Sequence, residues 1–93
     1  MNITKIGSDK KGYFEARMEG NKAGVITYKL RESNTWVIEH TKVEEAYQEQ
    51  KTAWKLLQAL VNYAREKQYK VIPECPFAKK MFEYKTEIQD VLA

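Results

Sequence analysis

The run Trp36-Val37-Ile38-Glu39-His40-Thr41-Lys42-Val43, then the polar stretch Glu44-Glu45-Ala46-Tyr47-Gln48-Glu49, leads into a segment in which Ala53, Leu56, Leu57, Leu60, Val61 and Ala64 recur. The first eight residues read as a strand that is apolar on both parities, with Trp36 and Ile38 on one face and Val37 and Val43 on the other. A strand covered on both faces belongs inside a sheet. From Ala53 the apolar residues fall at i, i+3, i+4, i+7, i+8 and i+11, the stripe of a helix laid on a core. Lys55, Gln58, Asn62, Arg65 and Glu66 fill the polar positions between them. A strand that feeds a helix through a short turn aims the helix's first free N–H groups beyond the strand's carboxyl end, a place that attracts anions.

Working outward, Lys70-Val71-Ile72-Pro73 reads as a short buried strand after the helix, reached through Lys67-Gln68-Tyr69. Strand, crossover helix and strand make a right-handed unit with the two strands parallel. Cys75-Pro76-Phe77 opens a second helix, since proline at the first helical position has the right φ and gives up no needed hydrogen bond. Phe77 and Met81 line its inner face, with Tyr84 a further candidate, and Thr86 to Leu92 forms one more turn packed by Ile88 and Leu92.

Upstream, Tyr13 to Met18 alternates, with Phe14, Ala16 and Met18 on one face and Glu15 and Arg17 on the other. Glu19-Gly20-Asn21-Lys22 is a hairpin turn. The return strand, Ala23 to Leu30, puts Ile26, Tyr28 and Leu30 on a single face before a second turn, Arg31-Glu32-Ser33-Asn34. Asn2 to Ile6 is a weaker edge strand ended by Gly7-Ser8-Asp9. The expected fold is mixed α+β, with antiparallel strands leading into a β-α-β parallel crossover and the helices packed on the sheet. A chain of 93 residues is expected to form one domain, 1–93, because two would each be too small to bury a core.

Lys and Arg number 16 against 13 for Asp and Glu, a formal charge of +3, with the two signs interspersed along the chain. A mild excess suits an anionic ligand and falls short of the concentrated basic face of a nucleic-acid binder, so no nucleic-acid partner is expected. One cysteine, Cys75, rules out an internal disulfide and points to a reducing, cytoplasmic setting. The start of the chain lacks the apolar run of a signal peptide, and no stretch approaches the ~18–20 apolar residues that span a bilayer, so no membrane partner is expected.

Two residues are candidates for chemistry. Cys75 follows a strand and precedes a helix, where free N–H groups and the helix dipole favour a thiolate; the plainer reading is a small buried space-filler. His40, the only histidine, ends the central strand on the face of Trp36 and Ile38. Parallel pairing would bring it toward the end of Lys70 to Pro73, and so toward Cys75. Ligands of open α/β sheets bind at the carboxyl ends of parallel strands. With no second Cys or His the pair falls short of a zinc site, and no metal is expected. The turn Gln48-Glu49-Gln50-Lys51-Thr52-Ala53 contains no glycine for close backbone approach to a phosphate. It reads either as a solvated helix start, with Glu49 complementing the dipole, or as an anion site with charge from Lys51. Tyr47, Trp54, Tyr63 and Tyr69 fit core and helix-edge positions.

Taken together, His40-Thr41-Lys42-Val43, the amphipathic helix about ten residues on, Lys70-Val71-Ile72-Pro73 and Cys75-Pro76-Phe77 resemble the compact GNAT-like (YjdJ-type) N-acetyltransferase family. The likeness covers about residues 12 to 92. It implies a GNAT-like fold and transfer of an acetyl group from acetyl-CoA to an amine that the sequence leaves unidentified. It also implies catalytic roles for His40, as base or orienting group, and for Cys75, as proton donor or transient acyl acceptor. By the same resemblance, backbone groups of Thr41, Lys42 and Val43 would pair with the pantetheine arm, and the pyrophosphate would lie on Gln48, Glu49, Gln50, Lys51, Thr52 and Ala53. Three positions depart from the family pattern: Lys51 and Glu49 stand where it has glycines, and Lys42 where it has glutamate. These keep a second reading open, a binding module of this fold for CoA, acyl groups or a protein.

Overall fold

Trp36 is fully buried, and the computed structural model, which describes residues 1–93, assembles its elements around that ring. Strands β1 (Asn2–Gly7), β2 (Lys11–Met18), β3 (Asn21–Arg31) and β4 (Thr35–Val43) form an antiparallel meander. A 3-10 helix (Glu45–Gln50) and helix α1 (Thr52–Lys67) then cross over to β5 (Lys70–Pro73). The sheet order is β1-β2-β3-β4-β5, and only β4 and β5 run parallel. Helix α2 (Pro76–Tyr84) and a second 3-10 helix (Thr86–Val91) complete the chain. The expected mixed α+β architecture is therefore the one observed. The polar stretch after β4 is itself a turn of 3-10 helix, and the β2–β3 hairpin is tighter than expected, with positive φ at Glu19 and Gly20. No helix is long and apolar enough to cross a membrane.

Cross-strand partners share a face of a sheet, so the ladder registers assign every strand residue to a side. Phe14, Ala16, Ile26, Tyr28, Trp36, Ile38 and Val71 face one way. They cluster with Leu56, Leu57, Leu60, Val61 and Ala64 of α1, Ala78 and Phe82 of α2, and Ile88 and Val91 of the tail. Every helix thus packs on the same side of the sheet, and the other side carries none. Each fully buried Leu or Val contributes roughly 1.5–3 kcal/mol. Trp36 anchors α1 to the sheet by stacking on Tyr63 at 5.3 Å and on Tyr28 at 3.9 Å.

The turn between β1 and β2 is clasped to this aromatic group. Trp36 Nε1 donates to the Asp9 carbonyl, and the Asp9 carboxylate accepts from Tyr63 Oη at 2.7 Å, Tyr69 Oη at 2.8 Å and Lys5 Nζ at 3.0 Å. Burial pushes that carboxyl up, but the bonds from Tyr63, Lys5 and Tyr69 and the charge of Lys5 outweigh it and hold the group at about 2. No buried side-chain nitrogen or oxygen is left without a partner.

Two irregularities shape the carboxyl end of β4. Thr27 lies opposite His40 but Tyr28 lies opposite Ile38, so Glu39 is an extra residue, a β-bulge. The bulge reverses the parity of everything after it. Thr41, opposite Ile26, and Val43, opposite Gly24, face the helices, whereas His40 and Lys42 face the open side. Strict alternation from Trp36 puts His40 with Ile38 and Val43 on the far face; the structure reverses both placements. Second, the β4–β5 ladder stops at Ile38 and Pro73, where the Ile38 carbonyl accepts from both Glu74 N and Cys75 N. Beyond it, Glu39 to Val43 has no partner on that edge while the chain turns away into α2. Gly24 keeps the backbone of β4 close at this point, for a Cβ there would lie 2.8 Å from the Lys42 carbonyl.

Candidate functional site

The opening between β4 and α2 is the mouth of a cavity of about 530 Å³. Thr41 and Val43 supply the strand wall. Gln48, Lys51, Ala53 and Trp54 supply the wall at the start of α1; Phe77 and Met81 project from α2 at i and i+4, and Lys85 follows at its C-cap. Val43, Trp54, Phe77 and Met81 make the lining largely apolar. The only charged groups among the lining residues are the cations Lys51 and Lys85, and Lys85 Nζ sits 5.3 Å from the centre of the Trp54 ring.

Helix α1 presents an unneutralised start to this space. Its N-cap residue, Lys51, makes no side-chain cap, and the first turn holds no acidic residue. The first helical bond is Lys55 N to the Lys51 carbonyl, so the preceding amides find no acceptor within the helix. The Thr52 hydroxyl, which could have capped, donates instead to the Tyr47 carbonyl at 2.9 Å and is buried. Lys51 adopts φ 58°, ψ 31°, the left-handed conformation that glycine enters most readily. Lysine therefore holds the backbone of the glycine turn and adds a charge. Of the expected anion-turn residues, Gln48, Lys51 and Ala53 line the cavity; Glu49 and Gln50 are exposed outside the lining, as is Lys42 on the open face.

His40 and Cys75 do not meet. Cys75 is 5% exposed and caps α2, its Sγ accepting from Ala78 N at 3.3 Å. Its neighbour across the opening is Thr41, whose Oγ1 lies 3.3 Å from that sulfur. His40 is exposed on the opposite face, and its backbone amide donates to Thr27 Oγ1. The expectation that strand pairing would unite the two is corrected by the bulge at Glu39, which puts Thr41 where alternation had put His40. Trp54 and Lys85 belong to the cavity wall although the sequence reading gave them no such role. For Lys85 the readable signal was the four-residue spacing that extends Phe77 and Met81.

A mostly antiparallel sheet whose one parallel pair parts over an apolar cavity, with cations and an uncapped helix start at its mouth, suits a ligand with a long apolar arm and an anionic end. The GCN5-related N-acetyl-transferase family model matches residues 13–91, and the chain belongs to that family. It is 36% identical to a GCN5-like protein of Staphylococcus aureus, whose N-acetyltransferase assignment is itself inferred. That likeness covers 99% of this chain and 89% of the other, with a TM-score of 0.73. The ribosomal-protein-alanine N-acetyltransferase of Brucella melitensis biovar Abortus shares the fold, with a TM-score of 0.65 and 19% identity over 90% of this chain and 64% of its own. No curated protein matches the chain. Enzymes of this family generally draw the acetyl group from acetyl-CoA, and the acceptor of this one is unidentified.

Proposed function

We propose that this protein transfers the acetyl group of acetyl-CoA to an amine by direct attack, without an acyl-cysteine step. The observation that carries the reading is the cavity bounded by the unpartnered edge of β4, the uncapped start of α1 and the apolar stripe of α2. The residues fit the group. Lys51, Lys85 and the free amides of α1 would hold its phosphates, and Val43, Phe77 and Met81 would pack its apolar arm. The exposed backbone edge around Thr41 to Val43 would orient that arm.

Acetyl-CoA supplies a thioester carbonyl: the amine nitrogen bonds to the acyl carbon, the C–S bond breaks, and the proton shed by the amine ends on the departing sulfur. Thr41 Oγ1, held at Cys75 Sγ, orients the head of the cavity, while Cys75 itself serves as the cap of α2. His40, exposed on the open side of the same strand end, would first take a proton from the incoming ammonium, so that a neutral amine makes the attack.

Titration with CoA, followed by backbone amide shifts, tests the reading. Shifts should concentrate at Thr41, Val43, Lys51 to Trp54, Phe77, Met81 and Lys85. Unmoved amides at millimolar CoA would remove the transferase and leave only the fold.

A further inference from the structure

Charges that alternate in sign along the chain are sorted by the sheet. Ladder register puts Lys11, Arg17, Lys22, Lys29, Arg31, Lys42 and, at the β5 edge, Lys70 on the face without helices, where the carboxylates are Glu15 and Glu39. That is a surplus of five positive charges on one face, against three for the whole chain, so the rest of the molecule is slightly acidic. Glu15 is spent on Arg17 at 2.7 Å and Glu39 on Lys29 at 3.4 Å. Lys11, Lys22, Arg31 and Lys42 are exposed and have no acidic partner.

Two of the cross-strand pairs on this face, Lys11 with Lys29 and Arg17 with Lys22, set like charges directly opposite each other. Such pairs destabilise a sheet, and nothing in the fold requires them. The same face carries His40 at the carboxyl end of β4, beside the point where β4 and β5 part. A second copy of the chain is a poor occupant, since it would bring the same positive face to the contact. Nucleic acid matches the charge but lacks two things: the face offers one half-buried aromatic ring, Tyr13, and no stacking platform, and base amino groups, delocalised into their rings, are weak nucleophiles. Polyamines and basic peptides carry good amines but the wrong charge.

Resting on the transferase reading above, we infer that the helix-free face of the sheet is the docking surface for the acceptor, an acidic polypeptide that delivers its amine to His40 at the parting of β4 and β5. Complementary charge of this kind sets orientation and on-rate and weakens with salt.

The probe is a fluorescein-labelled oligoglutamate of about ten residues, whose extended length of roughly 33 Å matches the 35 Å long axis of the molecule. At low salt the combined change Lys11→Glu, Lys22→Glu, Arg31→Glu should weaken its binding at least about tenfold. Lys55→Glu, Lys79→Glu, Lys80→Glu alters the net charge equally on the helix side and should leave binding within about twofold. The CoA shifts should persist in the open-face variant, so a failure of docking is separable from a failure of the transferase reading. Lys11→Thr alone should raise the melting temperature while weakening oligoglutamate, a combination that a purely structural lysine would not give. As substrates, peptides with a lysine among glutamates should exceed those with a lysine among arginines about tenfold in kcat/KM. Equal losses in both triple variants, no oligoglutamate binding, or tighter binding of an oligouridylate of the same charge would each overturn the inference.

Discussion

The hydroxyl of Thr41 and the thiol of Cys75 face each other at 3.3 Å across the opening between β4 and α2, and the same sulfur accepts the Ala78 amide that starts the helix. On the reading proposed above, a cysteine so engaged and 5% exposed acts as the cap of that helix. Cys75→Ala should destabilise by about 1 kcal/mol through loss of a helix cap, read by urea denaturation, and lower kcat by less than about tenfold. Cys75→Ser, which keeps an acceptor at that position, should recover most of both. A loss of roughly a thousandfold in kcat with acetyl-CoA binding intact would instead make the thiol a direct participant.

Lys51 holds a left-handed conformation that disfavours a side chain by about 1 kcal/mol while supplying one of two cations at the cavity mouth. Lys51→Gly should therefore leave the melting temperature unchanged or slightly higher and weaken CoA about three- to tenfold, with a shallower dependence on salt. Calorimetry at two ionic strengths decides it. Tighter binding by the glycine variant would show that the lysine obstructs the phosphates.

His40 projects from the open face and supports no part of the core. His40→Gln should lower kcat about a hundredfold and leave CoA affinity and melting temperature unchanged. An unaltered kcat would pass the proton-accepting role to water.

Asp9 is held at about 2 against an ordinary 3.8. Because its folded value is depressed, the stability it contributes is complete above about pH 4 and disappears as the pH falls through about 2. With its side chain 30% exposed, the contribution is on the order of 1–2 kcal/mol. Asp9→Asn should lower stability by that amount at neutral pH and flatten the acid limb between about pH 4 and 2, measured by urea denaturation across that range.

The strands, the crossover helix and the second helix were all legible, because each rests on a local period: two for Phe14-Ala16-Met18, 3.6 for Leu56-Leu57-Leu60-Val61-Ala64, and a proline at position 76 to start a helix. The turn that starts the crossover helix was legible on the same local grounds, and three of its residues, Gln48, Lys51 and Ala53, line the cavity. The partnership of Cys75 was not. It depends on the register between Thr27 and Tyr28 of β3 and their partners on β4, and a bulge leaves no mark in composition when the extra residue, Glu39, is as polar as its neighbours. Charge sorting was hidden for a related reason. Lys11, Lys22 and Arg31 lie scattered in sequence among acids that face elsewhere, and only pairing across the sheet gathers them.

The single inserted residue at Glu39 has a kinetic meaning. It sends adjacent side chains of one strand to opposite sides, so on the transferase reading donor and acceptor would approach the reaction point through separate entrances. Neither must leave before the other arrives, so double-reciprocal initial-rate plots should intersect instead of running parallel. A dead-end analogue of either substrate should then compete only with its own counterpart.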